Sequence, residues 1–168
     1  MTEAYPLRPF MPADTTALRD LFAQSIEELT QEDYTDEQRL AWIAEGEDAF
    51  AFAQRLQKMV TLIVQLEGDY AGFAALKDNT HVDMLYVHPY CVGQGVGSAL
   101  LDALERIAAA RGAKEMTVEA SDTAKVFFES RGYVATQRNS VPIADLWLTN
   151  TTMKKQLAAT NDNRPAPQ

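Results

Sequence analysis

A single cysteine, Cys91, excludes a framework of internal disulfides. No apolar run approaches the roughly 20 residues needed to cross a bilayer, and Met1 is followed by polar residues rather than by a cationic and then apolar leader. These absences lead to the expectation of a cytoplasmic chain. Positive charge is also scarce: 15 Lys and Arg stand against 24 Asp and Glu, a formal net charge of −9. An excess of that sign repels phosphate backbones and anionic lipid, so neither nucleic acid nor a membrane surface is an expected partner, and a neutral or cationic substrate fits better. No internal repeat is visible, and no low-complexity block outside the C-terminal tail. With 168 residues, 46% of them hydrophobic, there is material for one domain with a sizeable core and too little for two. The expected domain spans 1–158. The tail 159–168, where Pro165 and Pro167 stand among few apolar residues, is expected to be disordered.

Apolar spacing gives the order of elements. Tyr5 to Arg8 reads as a short strand, and Asp14 stands at the N-cap position of an amphipathic helix carrying Leu18, Leu21, Phe22, Ile26 and Leu29. Thr35 and Gln38 have the spacing of a capping box ahead of Leu40, Trp42 and Ile43. A third helical segment, Asp48 to Lys58, carries Phe50, Phe52, Ala53 and Leu56 after the polar break Glu45-Gly46-Glu47. From Val60 the period becomes that of strands. Val60–Val64, Tyr70–Leu76 and Val82–Val87, separated by turns at Gly68 and Asp78-Asn79, predict an antiparallel meander. A helix from Val96 to about Arg111 ended by Gly112, a strand Met116–Glu119 and a helix Thr123–Arg131 ended by Gly132 follow. Tyr133–Thr136 and Ala144–Thr149 read as closing strands.

The most informative stretch runs from Val87 to Leu101, where an apolar strand enters a glycine-rich turn that opens onto a helix. Gly93, Gly95 and Gly97 let the backbone bend tightly with no Cβ in the way, so that successive N–H groups converge on one anion. The helix adds its unpaired first amides and the positive end of its dipole. Such a turn is shared by several nucleotide-binding folds. A P-loop is excluded because no Gly-Lys-Ser/Thr follows the glycines. Gly93-x-Gly95-x-x-Ser98 approaches the dinucleotide fingerprint, with Glu119 ending the next strand. Its third position is Ser, however, and a meander precedes the turn where that fold needs alternating strands and helices.

Taken together these residues resemble the GCN5-related N-acetyltransferase family, over roughly Tyr5 to Gln156. The family's acetyl-CoA signature is Gln or Arg, two free positions, Gly, one free position, then Gly or Ala. It falls here on Val92, Gly93, Gln94, Gly95, Val96 and Gly97, with Val92 in the Gln/Arg place. A second family motif is matched by Ser121, Ala124, Phe127-Phe128 and Gly132-Tyr133, with Phe128 where the family commonly has the Tyr that protonates the departing thiolate. Tyr34-Thr35-x-Glu37-Gln38, Ala41-Trp42 and Leu148-Thr149-Asn150-x-x-Met153 look like a subgroup of uncharacterised bacterial members.

The resemblance implies an α/β (α+β) fold in one domain. Its central sheet is mixed, mostly antiparallel and twisted, with helices on both faces and a splayed parallel pair between Met84–Val87 and Met116–Glu119. It implies transfer of acetyl from acetyl-CoA to a primary amine, on a small molecule or a peptide, by direct attack in a ternary complex, with no metal. Leu85, Tyr86 and Val87 are expected along the pantetheine, and Val92, Gly93, Gln94, Gly95, Val96, Gly97 and Ser98 around the pyrophosphate. Ser121, Ala124, Phe127 and Phe128 are expected beside the pantetheine arm. Asp83 or Glu119 is expected to take the proton of the ammonium. Phe128 lacks a hydroxyl, so Tyr86, Tyr90 or Tyr133 is the substitute acid, Tyr86 being the choice carried forward. Tyr34, Trp42 and Asn150 are expected at the acceptor pocket. His81 and His88 are weaker base candidates, Cys91 a bystander, and Lys125 and Arg131 a solvated face or a phosphate contact. Relatives are often dimers, so a homodimer is an open expectation. The absent Tyr and the Val92 substitution keep open an alternative from another class, a catalytically silent acyl-CoA-binding or regulatory protein on the same fold.

Overall fold

The computed structural model describes residues 5–158; the expected tail 159–168 lies outside them. The described strands are β1 (Leu7–Pro9), β2 (Val60–Leu66), β3 (Asp69–Lys77), β4 (His81–Val87), β5 (Glu115–Ser121), β6 (Val134–Ile143) and β7 (Leu146–Gln156). The α-helices are α1 (Thr15–Leu29), α2 (Asp36–Ala44), α3 (Ala49–Gln57), α4 (Val96–Ala110) and α5 (Lys125–Ser130). The strands form one sheet in the order β1-β2-β3-β4-β5-β7-β6, antiparallel throughout except for β4 beside β5. No helix among the described residues is long and apolar enough to cross a membrane.

Ala71 to Leu76 of β3 are all buried, which explains an apolar run without alternation: the strand is covered on both faces. On one face Leu100, Leu101 and Leu104 of α4 pack with Ala74, Leu76, Met116 and Val118. On the other, Leu18, Phe22 and Ile26 of α1 and Phe52 and Leu56 of α3 pack with Ile63, Phe73 and Met84. Gly72 brings α4 close to the sheet. A Cβ there would lie 2.8 Å from Val96 Cγ1, 3.0 Å from the Tyr86 carbonyl oxygen and 3.1 Å from Leu100 Cδ1.

Local sequence sets the helix starts. Thr35 and Gln38 form the expected capping box, and Asp48 accepts from the Ala51 amide at 3.0 Å. Asp14 behaves otherwise. It occupies the N-cap position of α1, but its carboxylate takes Arg8 at 2.7 and 2.8 Å, the Met11 amide at 2.8 Å and the Tyr70 hydroxyl at 2.6 Å. A charged partner outcompetes the helix's own amides, and it holds the Asp14 carboxyl well below the usual carboxylate range.

Three expectations change. The parallel pairing is confined to His81 with Thr117 and Val82 with Val118, before the span expected from Met84 to Val87. The register of β4 on β3 passes from Val82–Leu76 to Met84–Ala75, so Asp83 is an extra residue, and such a bulge bends its strand and re-aims side chains. The last hairpin is longer than expected, and Ala144, assigned to a strand, is in its turn with φ +51°. The reason is that β6 is an edge strand. Its Gln137-Arg138-Asn139-Ser140 run faces solvent and needs no apolar alternation, and cross-strand bonds such as Asn139 to Asn150 at 2.9 Å hold it. Finally α5 begins at Lys125 rather than Thr123, because Ser121 Oγ holds the Ala124 amide in a turn at 3.0 Å.

The contact at Gly72 predicts that Gly72→Ala lowers stability by about 1–3 kcal/mol, read as a lower urea midpoint. An unchanged midpoint would mean that α4 does not rest on β3 at this point.

Candidate active site

Beyond Val82 no strand pairs with β4 on its β5 side. The gap opens into a cleft of about 670 Å³, a volume typical of small-molecule sites. One end is walled by Leu85, Val87, Gly93, Val96, Ser121, Ala124, Phe127 and Phe128. The other lies under α1, α2, α3 and the tip of the β6–β7 hairpin, with Phe22, Tyr34, Trp42, Glu45, Arg55, Ile143 and Asn150 in the wall. Side chains of β4 alternate between the ends: Leu85 and Val87 join the α4 core, Met84 and Tyr86 the α1 and α3 core.

At the first end the turn before α4 is built as an anion cradle. Gly93 and Gly95 have φ of +80° and +87°, conformations that side chains rarely adopt. Gly95 is the N-cap of α4, and the first helical bond runs from the Ala99 amide to the Gly95 carbonyl at 3.0 Å. The amides of Val96, Gly97 and Ser98 are therefore without intrahelical acceptors, and the helix dipole adds positive charge. A Cβ on Gly97 would sit 3.4 Å from the Phe127 ring and 3.6 Å from Val87, so the floor beneath these amides is already closed by side chains. Gln94 departs from expectation. Its carbonyl accepts the Tyr5 hydroxyl, its side chain donates to the Tyr90 carbonyl at 3.1 Å, and it is absent from the cleft wall. The reason is the turn itself, whose alternating left-handed glycines swing the intervening residue outward.

At the other end an aromatic wall runs from Phe22 to Tyr86 (centroids 4.8 Å, edge-on), Tyr86 to Trp42 (6.4 Å) and Trp42 to Tyr34 (5.5 Å). The Tyr34 hydroxyl donates to the Thr149 carbonyl at 2.7 Å and accepts from the Asp122 amide at 2.8 Å. Burial pushes its pKa up to about 12. Gln38 adds a bond to the Trp147 carbonyl at 2.7 Å, so two bonds tie the hairpin to this wall. Burial also raises the Tyr86 phenol, opposed by Trp42 and Arg55, and keeps it protonated at neutral pH.

Asp83 and Glu119 follow the last paired residues, Val82 and Val118, and so flank the point where the strands part. Arg55 Nε and Nη2 lie 2.9 and 2.8 Å from Asp83 Oδ2, which leaves Oδ1 free. Glu119 makes no ion pair or side-chain hydrogen bond among the described residues, and neither does Glu45 at the C-terminus of α2. Partial desolvation raises the Glu45 carboxyl although the residue stays exposed, and the Arg55 charge opposes the shift.

The cleft wall thus brings together every expected site residue except Gln94. Tyr90 and Tyr133, weighed as substitute acids, are not in it: Tyr90 is exposed, and the Tyr133 hydroxyl donates to Glu105 at 2.8 Å behind α4. Phe128 is buried edge-on against Phe127 and Tyr133. His81 Nδ1 is bonded to Thr117 Oγ1 at 2.7 Å, His88 to the Tyr90 amide, and Arg131 to Asp102. Arg55 and Glu45 escaped the sequence reading. Glu45 stood in a polar break and Arg55 on a helix read for its aromatics, and neither their place in the cleft wall nor the pairing of Arg55 with Asp83 leaves a local signal.

Residues 30–157 match the family model of the acetyltransferase (GNAT) domain. The uncharacterised N-acetyltransferase YafP of Escherichia coli (strain K12) is 29% identical over 148 residues, 88% of this chain and 93% of that protein. The crystal structure of the GCN5-related N-acetyltransferase named aminotransferase, class-II, from Rhodopseudomonas palustris is 51% identical with a TM-score of 0.91, over 94% of this chain and 98% of that one. The PaiA N-acetyltransferase of Thermoplasma acidophilum in complex with coenzyme A shares the fold, with a TM-score of 0.75 at 16% identity over 92% of this chain and 99% of that one.

Loss of the Tyr34 hydroxyl strands a half-buried amide and carbonyl. Tyr34→Phe is expected to cost about 1–3 kcal/mol of stability and to speed amide exchange at the tip of the β6–β7 hairpin. Exchange as slow as in the parent chain would refute the tie.

Proposed function

The chain belongs to the GNAT acetyltransferase family, and on that premise we propose that it transfers acetyl from acetyl-CoA to a primary amine by direct attack in a ternary complex. One cleft joins an anion cradle at the start of α4 to an unpaired edge of β4, and this juxtaposition carries the proposal. Coenzyme A offers groups for both: a pyrophosphate for the amides of Gly95 to Ser98, and an amide-bearing arm for the edge at Leu85 and Val87, where it lies as an added strand. The coenzyme A named with the Thermoplasma structure supports the same cosubstrate. Ser121 Oγ, which accepts from the Ala124 amide, keeps its O–H to donate to the arm, and Ala124, Phe127 and Phe128 close over it.

In the reaction the amine nitrogen bonds to the acetyl carbon and the carbon–sulfur bond breaks. An N–H of the β4 edge donates to the carbonyl oxygen as negative charge gathers there. Asp83 Oδ1 and Glu119 flank the parting strands, and one of them takes the ammonium proton. The sulfur leaves as a thiolate, with a thiol pKa of about 8.5, so little protonation is required. Phe128 supplies none, and the protonated Tyr86 phenol is the donor assigned here.

The acidic composition and lone cysteine support a cytoplasmic chain that avoids nucleic acid, and a homodimer belongs to the same proposal. Phe128 and Val92 favour the second reading, a silent acyl-CoA binder. Turnover separates the two.

Calorimetric titration is expected to show micromolar binding of acetyl-CoA and none of NADH. Gly97→Val, whose branched side chain presses on Phe127 and Val87 beneath the free amides and displaces them, should weaken acetyl-CoA about tenfold or more with an unchanged far-UV spectrum. No acetyl-CoA binding by the parent chain would overturn the proposal. With a turned-over amine, Asp83→Asn or Glu119→Gln should lower kcat by about 10²–10⁴ without altering acetyl-CoA affinity. Two fully active variants would remove both as proton acceptor.

A further inference from the structure

The acceptor end of the cleft is lined by more acid than base. Among the described residues of its wall, the Lys and Arg side chains number one, Arg55, whose Nε and Nη2 are both engaged by Asp83. His81 is bonded to Thr117. Glu45 and Glu119 are exposed, their carboxylates without a partner among the described residues, and the C-terminal end of α2 beside Glu45 adds partial negative charge of its own. A substrate carboxylate entering here would meet Glu45 and Glu119, and a lone Arg55 already paired with Asp83. An ammonium would be attracted by the same acids.

The neutral wall is equally selective. Phe22, Tyr86, Trp42 and Tyr34 form one continuous aromatic surface, and Ile143 and Leu148 join it from the hairpin. The Tyr34 hydroxyl is spent on Thr149 and Asp122, so this surface offers mainly ring faces, with the Tyr86 phenol as its free hydroxyl. A polyhydroxylated acceptor would leave most of its hydroxyls against ring faces, whereas an apolar body fills the surface and a nearby cation gains from the rings.

Resting on the acetyltransferase reading above, we propose that the acceptor is a primary ammonium on an apolar body without a carboxylate. Its body lies along the Phe22–Tyr86–Trp42–Tyr34 wall and Glu45 draws its charge into the cleft. Glu45 acts as a specificity determinant. It attracts the ammonium without taking part in the proton transfer assigned to Asp83 or Glu119.

The test titrates matched ligands, phenethylamine against phenylalanine and tryptamine against tryptophan, into the full chain saturated with coenzyme A, and compares kcat/KM for the same ligands with acetyl-CoA. Each amine is expected to bind about tenfold or more tightly than its amino acid, and to be acetylated with at least that preference. Glu45→Gln should raise both Kd and KM for phenethylamine severalfold, leave kcat and acetyl-CoA affinity unchanged, and narrow the gap to phenylalanine. Equal or tighter binding of the amino acids, which would make Arg55 a carboxylate anchor, overturns the proposal, as does an unchanged KM in Glu45→Gln. Failure of acetyl-CoA to bind instead defeats the acetyltransferase reading, and the amine and amino acid titrations on the free chain still decide the ligand preference.

Discussion

Parallel strands that pair for two residues, His81 with Thr117 and Val82 with Val118, leave the rest of β4 with backbone donors and acceptors unmet on one side. That edge can remain open because water in the cleft or a bound chain satisfies it, and because the flanking strands are anchored elsewhere. β4 is held by β3 along most of its length, and β5 by β7 from Glu115 to Ser121. The bulge at Asp83 marks where the two part. Each chemical feature of the site depends on that separation: the free edge, the carboxylates beside the fork, and the room for α4 to bring its first amides to the same cavity.

Packing fixes the distances. Gly72 lets α4 rest on β3 and β4 with contacts that a methyl group would break, so the anion cradle is referenced to the strand that borders the gap. On the opposite side Tyr34 ties the α1–α2 turn to β7 and to the turn that follows β5, and the hairpin becomes a roof over the acceptor end. Charge is arranged with similar economy. Arg55 neutralises Asp83 in part, yet the wall stays acidic because Glu45 and Glu119 have no partners among the described residues.

The periodicities of the sequence were a sound guide wherever one face of an element is buried, as in α1, α4 and the β2–β4 meander. The glycine turn was legible because only a left-handed backbone explains Gly93 and Gly95 ahead of an apolar helix. Legibility failed at β6, an edge strand with no buried stripe to impose alternation. It failed again for Arg55 and Glu45, whose places in the cleft follow from tertiary packing, Arg55 against Asp83 of β4, rather than from local spacing. Gln94 shows the converse: it lies inside the matched motif, yet the turn directs it outward.

The central claim is that acetyl-CoA lies as an added strand on β4 with its pyrophosphate on the first amides of α4. Amide hydrogen exchange with and without acetyl-CoA reads both contacts at once. The account predicts slowed exchange at amides of the Leu85–Val87 edge and at Val96, Gly97 and Ser98, with β1 and β2 unaffected. Saturating acetyl-CoA that protects neither group would contradict it.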